Sequence, residues 1–252
     1  MKAIPNVRIK RATLEAVDAD CPHCDYPNTF NRITDLKDLT PISYKEVLCD
    51  KCKKRFPIGG DNVIPVWHWL IRDCFELKED KRFRHYCALN LCQAFEAFFF
   101  LYLKVIFLFR PYRVDHDTKK SNEMEELLYE NTKQHTFPKM RKLFLHYVLA
   151  NRKFSTWEEV RSEISLISKN RKLPKDEFID QHSDPKLSKL LKELKGVRAP
   201  CLRNKVVHKH VKLPTVEEID LVETETETLL DSLSSHLGIY GDDPNHYMNE
   251  PN

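Results

Sequence analysis

Two cysteine pairs near the N-terminus constrain this chain more than any other feature. They are Cys21-Pro-His-Cys24 and Cys49-Asp-Lys-Cys52, with 24 residues between the pairs. Two residues between thiolates let both sulfurs of one tight turn reach a single ion at about 2.3 Å, and two such turns complete a tetrahedron. The four thiolates Cys21, Cys24, Cys49 and Cys52 are therefore expected to hold Zn2+. They leave no open coordination position, so the metal is expected to be structural rather than catalytic. Disulfides would need an oxidising compartment. The opening stretch MKAIPNVRIKRATLEAVDAD has no apolar export segment, so a cytoplasmic location is expected.

The quartet resembles a zinc ribbon. Between and after the pairs, NTFNRI, KEVLC and KRFPI suit short strands, with Tyr26, Phe30 and Phe56 available to cover a small core. His23 is read as an exposed knuckle residue, because four sulfurs already suffice. Arg8, Lys10, Arg11, Arg32, Lys51, Lys53, Lys54 and Arg55 surround the quartet. That charge suits nucleic acid, and a protein contact is an equal alternative.

The rest of the chain reads as helical. Only 5 of 252 residues are Gly, too few for a turn-rich sheet or a glycine-rich phosphate loop. Gly59 and Gly60 mark a boundary near Asp61, giving a ribbon over 1–62, a helical bundle over 63–240 and a flexible tail over 241–252. The expected fold is mostly α, an antiparallel helical bundle preceded by a small β-rich zinc ribbon. PVWHWLIRDCFEL reads as a helix with Pro65 in its first turn. The stretch from Glu79 to Phe109 reads as a long helix that Pro111 helps to end. Phe95, Phe98, Phe99, Tyr102, Ile106 and Phe109 recur on it at three- and four-residue spacing. Further helix starts are expected at Ser121, Pro138, the Ser155-x-x-Glu158 region (Ser or Thr as cap), Asp184 and Thr215-x-x-Glu218. Stops are expected at Gly196 and Gly238. Cys74, Cys87, Cys92 and Cys201 lie among apolar residues and are expected to be buried thiols.

The segment Ala88–Phe109 is long enough to cross a bilayer. Asn90, Gln93, Glu96 and Lys104 interrupt it. A charge at mid-bilayer costs about 2–3 kcal/mol or more, so a buried core helix and no membrane partner are expected. Charge is unevenly distributed. Ten of the 38 acidic residues lie beyond Lys212, leaving 28 ahead of it against all 41 Lys and Arg, an excess of 13 positive charges over residues 1–212. A basic body attracts polyanions such as RNA, although a solvated charge distribution is the plain alternative.

One late stretch carries chemistry: Cys-Leu-Arg203-Asn204-Lys-Val-Val-His208-Lys-His, residues 201–210. Cleavage of RNA without a metal needs a group that removes the 2′-OH proton and a cation that steadies the phosphorane. Imidazole titrates near neutral pH, and guanidinium presents a planar fork to phosphate. In a helix, positions five apart point about 140° apart. One copy does not easily converge Arg203 and His208, whereas non-helical backbone or a second copy across a two-fold axis would.

Arg203, Asn204 and His208 resemble the Arg-polar-x3-His signature of the HEPN superfamily, with the resemblance covering roughly residues 63–238. It implies a bundle of about four or five helices that forms a homodimer with one composite cleft, and metal-independent cutting of RNA to 2′,3′-cyclic phosphates. It also implies a host-defence or toxin setting, with a regulatory or antitoxin protein as a possible partner. The family often places an acidic residue from an earlier long helix beside the Arg and His; Glu96 is the candidate, and Glu96 facing water is the alternative. Lys205, Lys209 and His210 are candidate accessory phosphate contacts or a solvated face. The expected function is an endoribonuclease with Arg203, His208, Asn204 and Glu96 as catalytic residues. The alternative is a non-catalytic module that binds RNA or a protein partner. A DNA-binding factor ranks last, because no recognition helix is evident.

Overall fold

A computed structural model describes residues 16–31, 45–58, 66–115, 117–154, 156–167, 176–180, 182–209 and 213–239. The chain forms two compact units, divided between Trp69 and Leu70. It is mostly α, with two small N-terminal β hairpins that hold a four-cysteine cluster.

In the first unit, β1 (Ala16–Asp20) pairs antiparallel with β2 (Pro27–Asn31), and β3 (Lys45–Leu48) with β4 (Arg55–Ile58). β1 has no counterpart in the sequence expectation. Each Cys-x2-Cys is the turn of one hairpin. Alternation sends Val47, Phe56 and Ile58 inward, where they join Phe30, Cys21 and Cys49, with Tyr26 packed at the margin. Phe30 and Phe56 meet with ring centroids 6.3 Å apart. Among the described residues of the hairpins, the buried apolar side chains other than cysteines are Phe30, Val47, Phe56 and Ile58, a very small core.

Helix α1 (Val66–Leu77) runs across the division, and the remaining helices belong to the second unit. Its hub is α2 (Arg84–Lys104), against which α5 (Phe137–Ala150), α9 (Ala199–Lys209) and α10 (Val216–Leu237) pack. The expected aromatic stripe is buried in full: Phe95, Phe98, Phe99, Tyr102, Ile106 and Phe109. Phe144 of α5 lies 5.0 Å from both Phe99 and Tyr102, and Phe137 lies 5.8 Å from both Phe95 and Phe99. Within the span Arg84–Tyr112, an 18-residue window reaches a mean hydropathy of 1.8, and 72% of that window is buried inside the fold. Lys104 is buried there and ion-pairs with Glu125 of α4 (Thr118–Thr132).

Three local expectations are corrected. Pro111 does not end the long helix. The chain widens into a π turn over Val105–Phe109 and continues as α3 (Arg110–Asp115), so Pro111 falls in a fresh first turn where its missing N–H costs nothing. Ser121 is not an N-cap. Asp117 caps α4 by accepting from the Lys120 N–H, and Ser121 is buried inside the helix. Cys201 is exposed rather than buried, whereas Cys74, Cys87 and Cys92 are buried.

Other termini form where the pattern placed them. α5 has Pro at its start, and Asn151 caps its end in the left-handed region at φ 42°. The capping box of α6 (Trp157–Ser165) is Thr156 with Glu159, one residue later than the expected Ser155-x-x-Glu158 box and with Thr as the cap; Ser155 lies outside the described residues. Asp184 accepts from the Lys186 and Leu187 N–H groups to start α8 (Pro185–Lys195), which ends at Gly196 and packs with α10 and the short α7 (Asp176–Asp180). Thr215 and Glu218 form the box of α10, which stops at Gly238 with φ 68°.

Candidate metal centre and candidate RNA site

The two hairpin turns are near copies of each other. In the first, the Cys21 N–H donates to the Tyr26 carbonyl at 3.0 Å and the Asp25 N–H to the Cys21 carbonyl at 2.8 Å. In the second, the Cys49 N–H donates to the Lys54 carbonyl at 3.0 Å and the Lys53 N–H to the Cys49 carbonyl at 3.1 Å. The residue after each second cysteine takes a left-handed conformation, Asp25 at φ 52° and Lys53 at φ 60°. That reversal turns the strand back and leaves both sulfurs of the turn on its inner side.

The four Sγ atoms lie within 4.8 Å of one another. Cys21 and Cys52 are 3.7 Å apart, and so are Cys24 and Cys49. A tetrahedron with metal–sulfur bonds of about 2.3 Å has edges of about 3.8 Å. The cluster therefore has the size and chemistry of a Zn2+ site. The Cys52 N–H points at the Cys49 sulfur at 3.4 Å. Burial pushes the Cys21 thiol up to about 12. Burial also raises Cys49, but the N–H groups of Cys52 and Lys51 and the neighbouring thiols outweigh it and bring this thiol down to about 6. Protons and a cation compete for the same sulfurs. His23 is not a ligand: its Nε2 donates to the Arg55 carbonyl at 3.2 Å, on the exposed side.

Asn28 has a role that the sequence reading missed. It is buried, and its amide donates to the Tyr26 carbonyl at 2.7 Å while its Oδ1 accepts from the Asp50 N–H at 2.7 Å. One side chain thus ties the first cysteine turn to the second. Lys51 of the second turn lies 5.5 Å from the Tyr26 ring centre of the first, adding a cation–π contact. A polar residue at an inward strand position, beside inward-facing Phe30, was the available signal.

The second candidate site lies on α9 and α2. Arg203, Asn204 and His208 all fall within the helix α9. Helical backbone across the whole motif sets positions 203 and 208 about 140° apart, while 204 and 208 share a face. Arg203 is half-buried and Asn204 exposed; the side chains of His208 and Lys209, and all of His210, lie outside the described residues. Lys205 ion-pairs with Glu218, the box residue of α10, at 3.4 Å.

Arg203 acts on α2. Burial raises the Glu96 carboxyl, and the Arg203 guanidinium together with a hydrogen bond from the Phe137 N–H draws it back down without cancelling the rise. Cys92, one turn before Glu96, is pushed up to about 12 by burial and by the charge of Glu96, opposed by that of Arg203. The Glu96 carboxyl thus accepts from the first N–H of α5, within range of the charge of Arg203.

The chain matches no known protein family, no curated protein and no solved structure. The nature of both sites rests on their own chemistry.

Proposed function

We propose that this chain is a metal-independent endoribonuclease of the HEPN type, acting as a homodimer, with a structural zinc ribbon at its N-terminus. One observation supports the reading best. The charge of Arg203, the arginine of the Arg-Asn-x3-His motif, acts on the half-buried Glu96 carboxyl of the long aromatic helix, in keeping with the acidic neighbour that the HEPN resemblance implies. In this reading Glu96 holds the Arg203 guanidinium in place, and Arg203 neutralises the charge that builds on the phosphorane. Asn204 orients a phosphate oxygen. His208 takes the 2′-OH proton; the 2′ oxygen attacks phosphorus, the 5′ oxygen leaves with a proton, and a 2′,3′-cyclic phosphate remains. The 140° between positions 203 and 208 favours two motifs facing each other across a two-fold axis, each contributing to one cleft. RNA is the substrate; the cytoplasmic, defence or toxin setting and a regulatory partner enter through the resemblance and the expectations above.

The deciding experiment incubates purified protein with labelled tRNA and total RNA in EDTA, with zinc content followed in parallel. Cleavage to cyclic phosphates that both Arg203→Ala and His208→Ala abolish is the expected result. Tight RNA binding without cutting would move the assignment to a non-catalytic module. That reading has its own support, since Glu96 also accepts from the first N–H of α5, a structural task.

A further inference from the structure

The two cysteine turns share one backbone course and carry opposite charge. Residues 16–31 hold Asp18, Asp20 and Asp25 and no lysine or arginine. The second turn runs Asp50-Lys51-Cys52-Lys53-Lys54-Arg55, and its four cationic residues are all exposed. Asp25 and Lys53 stand at matching positions, both left-handed, at φ 52° and φ 60°. Aspartate tolerates that conformation, whereas lysine is held there against its own preference. Glycine or asparagine would build the turn with less strain, so the turn geometry does not explain the lysine.

These cations stand on fixed backbone. The Lys53 N–H donates to the Cys49 carbonyl at 3.1 Å, and the Lys54 carbonyl accepts from the Cys49 N–H at 3.0 Å. The Arg55 carbonyl accepts from His23 of the first turn at 3.2 Å. Among the described residues, Lys51, Lys53 and Lys54 pair with no carboxylate. Arg55 meets Glu46 at 3.7 Å, with both side chains well exposed, and such a pair contributes little. Lys51 lies 5.5 Å from the ring centre of half-buried Tyr26, and exposed His23 adds a second ring. Accessible cations on rigid backbone, with aromatic rings beside them, suit a single nucleic-acid strand: phosphates take the charge and bases take the rings.

We infer that the second cysteine turn is an RNA-backbone contact, with Lys53, Lys54 and Arg55 taking phosphates and Tyr26 and His23 offered to the bases. The inference rests on RNA being the substrate and adds a grip on the strand outside the Arg203–His208 motif. The competing explanation is that the cations only offset the net negative charge that four thiolates leave on one Zn2+.

The test separates these. Lys53→Asn, Lys54→Gln and Arg55→Gln are combined in the full chain, on the cleavage-defective His208→Ala background; Asn keeps residue 53 at ease in the left-handed region. Binding of a short fluorescent single-stranded RNA is measured against salt concentration. Loss of three phosphate contacts should flatten the slope of log K against log salt by about 2 and weaken binding by more than about tenfold at moderate salt. Zinc content and melting temperature should stay as in the parent. An unchanged slope with weaker zinc retention assigns the cations to the thiolate charge, and an unchanged slope with zinc retained leaves them as a solvated surface; either overturns the inference. Labelled poly-glutamate that binds the parent as tightly as RNA, and loses the same slope in the variant, would make the partner an acidic protein segment and overturn it too. Should the triple variant fail to fold, lysine acetylation of the parent decides. RNA should protect Lys53 and Lys54, as mapped by peptide mass, and unaltered labelling overturns the inference. If the parent binds no RNA, the ribonuclease reading and this inference fall together. If the parent with His208 intact cuts RNA and the slope survives the triple substitution, only this inference falls. If it binds without cutting and the triple substitution flattens the slope, this inference stands and the ribonuclease reading alone falls.

Discussion

Removing the metal should unfold the hairpin unit and spare the helices. The unit's buried core outside its cysteines is Phe30, Val47, Phe56 and Ile58. At about 1.5–3 kcal/mol per buried side chain, these four contribute roughly 6–12 kcal/mol at most. Segments this short seldom fold on such a core without a metal or disulfides. A structural zinc in a thiolate site is worth about 10–16 kcal/mol at neutral pH, comparable with or above the whole apolar core. Cys49→Ser removes one of four ligands and the sulfur that accepts from the Cys52 N–H. Metal analysis should find one zinc per chain in the parent and far less in the variant. Hydrogen exchange should show residues 16–31 and 45–58 losing protection in the variant or after strong chelation, while α2, α5, α9 and α10 keep theirs. Zinc-free protein with protected hairpins would refute the reasoning, and so would parent protein with no zinc.

Three further outcomes follow from the helical unit. Lys78 is buried between Asp220 at 2.7 Å and Glu223 at 2.8 Å, so Lys78→Ala, which strands buried Glu223, should cost about 3–5 kcal/mol in urea unfolding; Lys78→Met with Glu223→Leu should recover most of it. Asp184 is held below its usual value by the Leu187 N–H and by His236, whose Nε2 lies 2.6 Å from Oδ2. A carboxyl lowered by folding stabilises above its unfolded pKa of about 3.9, and that help is lost as pH falls through the folded value. Protection at the start of α8 should therefore fall in acid, and Asp184→Asn should flatten that dependence. Asn151 holds φ 42° at the end of α5, so Asn151→Gly should be tolerated, whereas Asn151→Val should cost about 1–2 kcal/mol in thermal melts.

Much of this protein was written locally. A Cys-x2-Cys turn needs only its own backbone to present two sulfurs, so the metal centre was legible from spacing. Caps such as Asp184, Thr215 with Glu218, and Gly238 act within one helical turn, and the aromatic stripe of α2 announces its buried face through its period. The misses have the same logic. Pro111 is a helix breaker only in an α ladder, and the π turn before it changes that ladder. Ser121 is a good cap until Asp117 supplies a better one. Cys201 is apolar enough to bury, but only packing decides whether its face of α9 is covered.

What the sequence determined by itself is the class of the chain: thiolate ligands for one metal, then amphipathic helices around an aromatic core. Tertiary structure alone decided that the charge of Arg203 reaches the Glu96 carboxyl, that Asn28 ties one cysteine turn to the other, and that Arg141 of α5 donates to the Lys195 carbonyl at the end of α8. Periodicity identifies which face of a helix turns inward; it does not name the neighbour found there, because that choice is made by contacts between residues tens of positions apart.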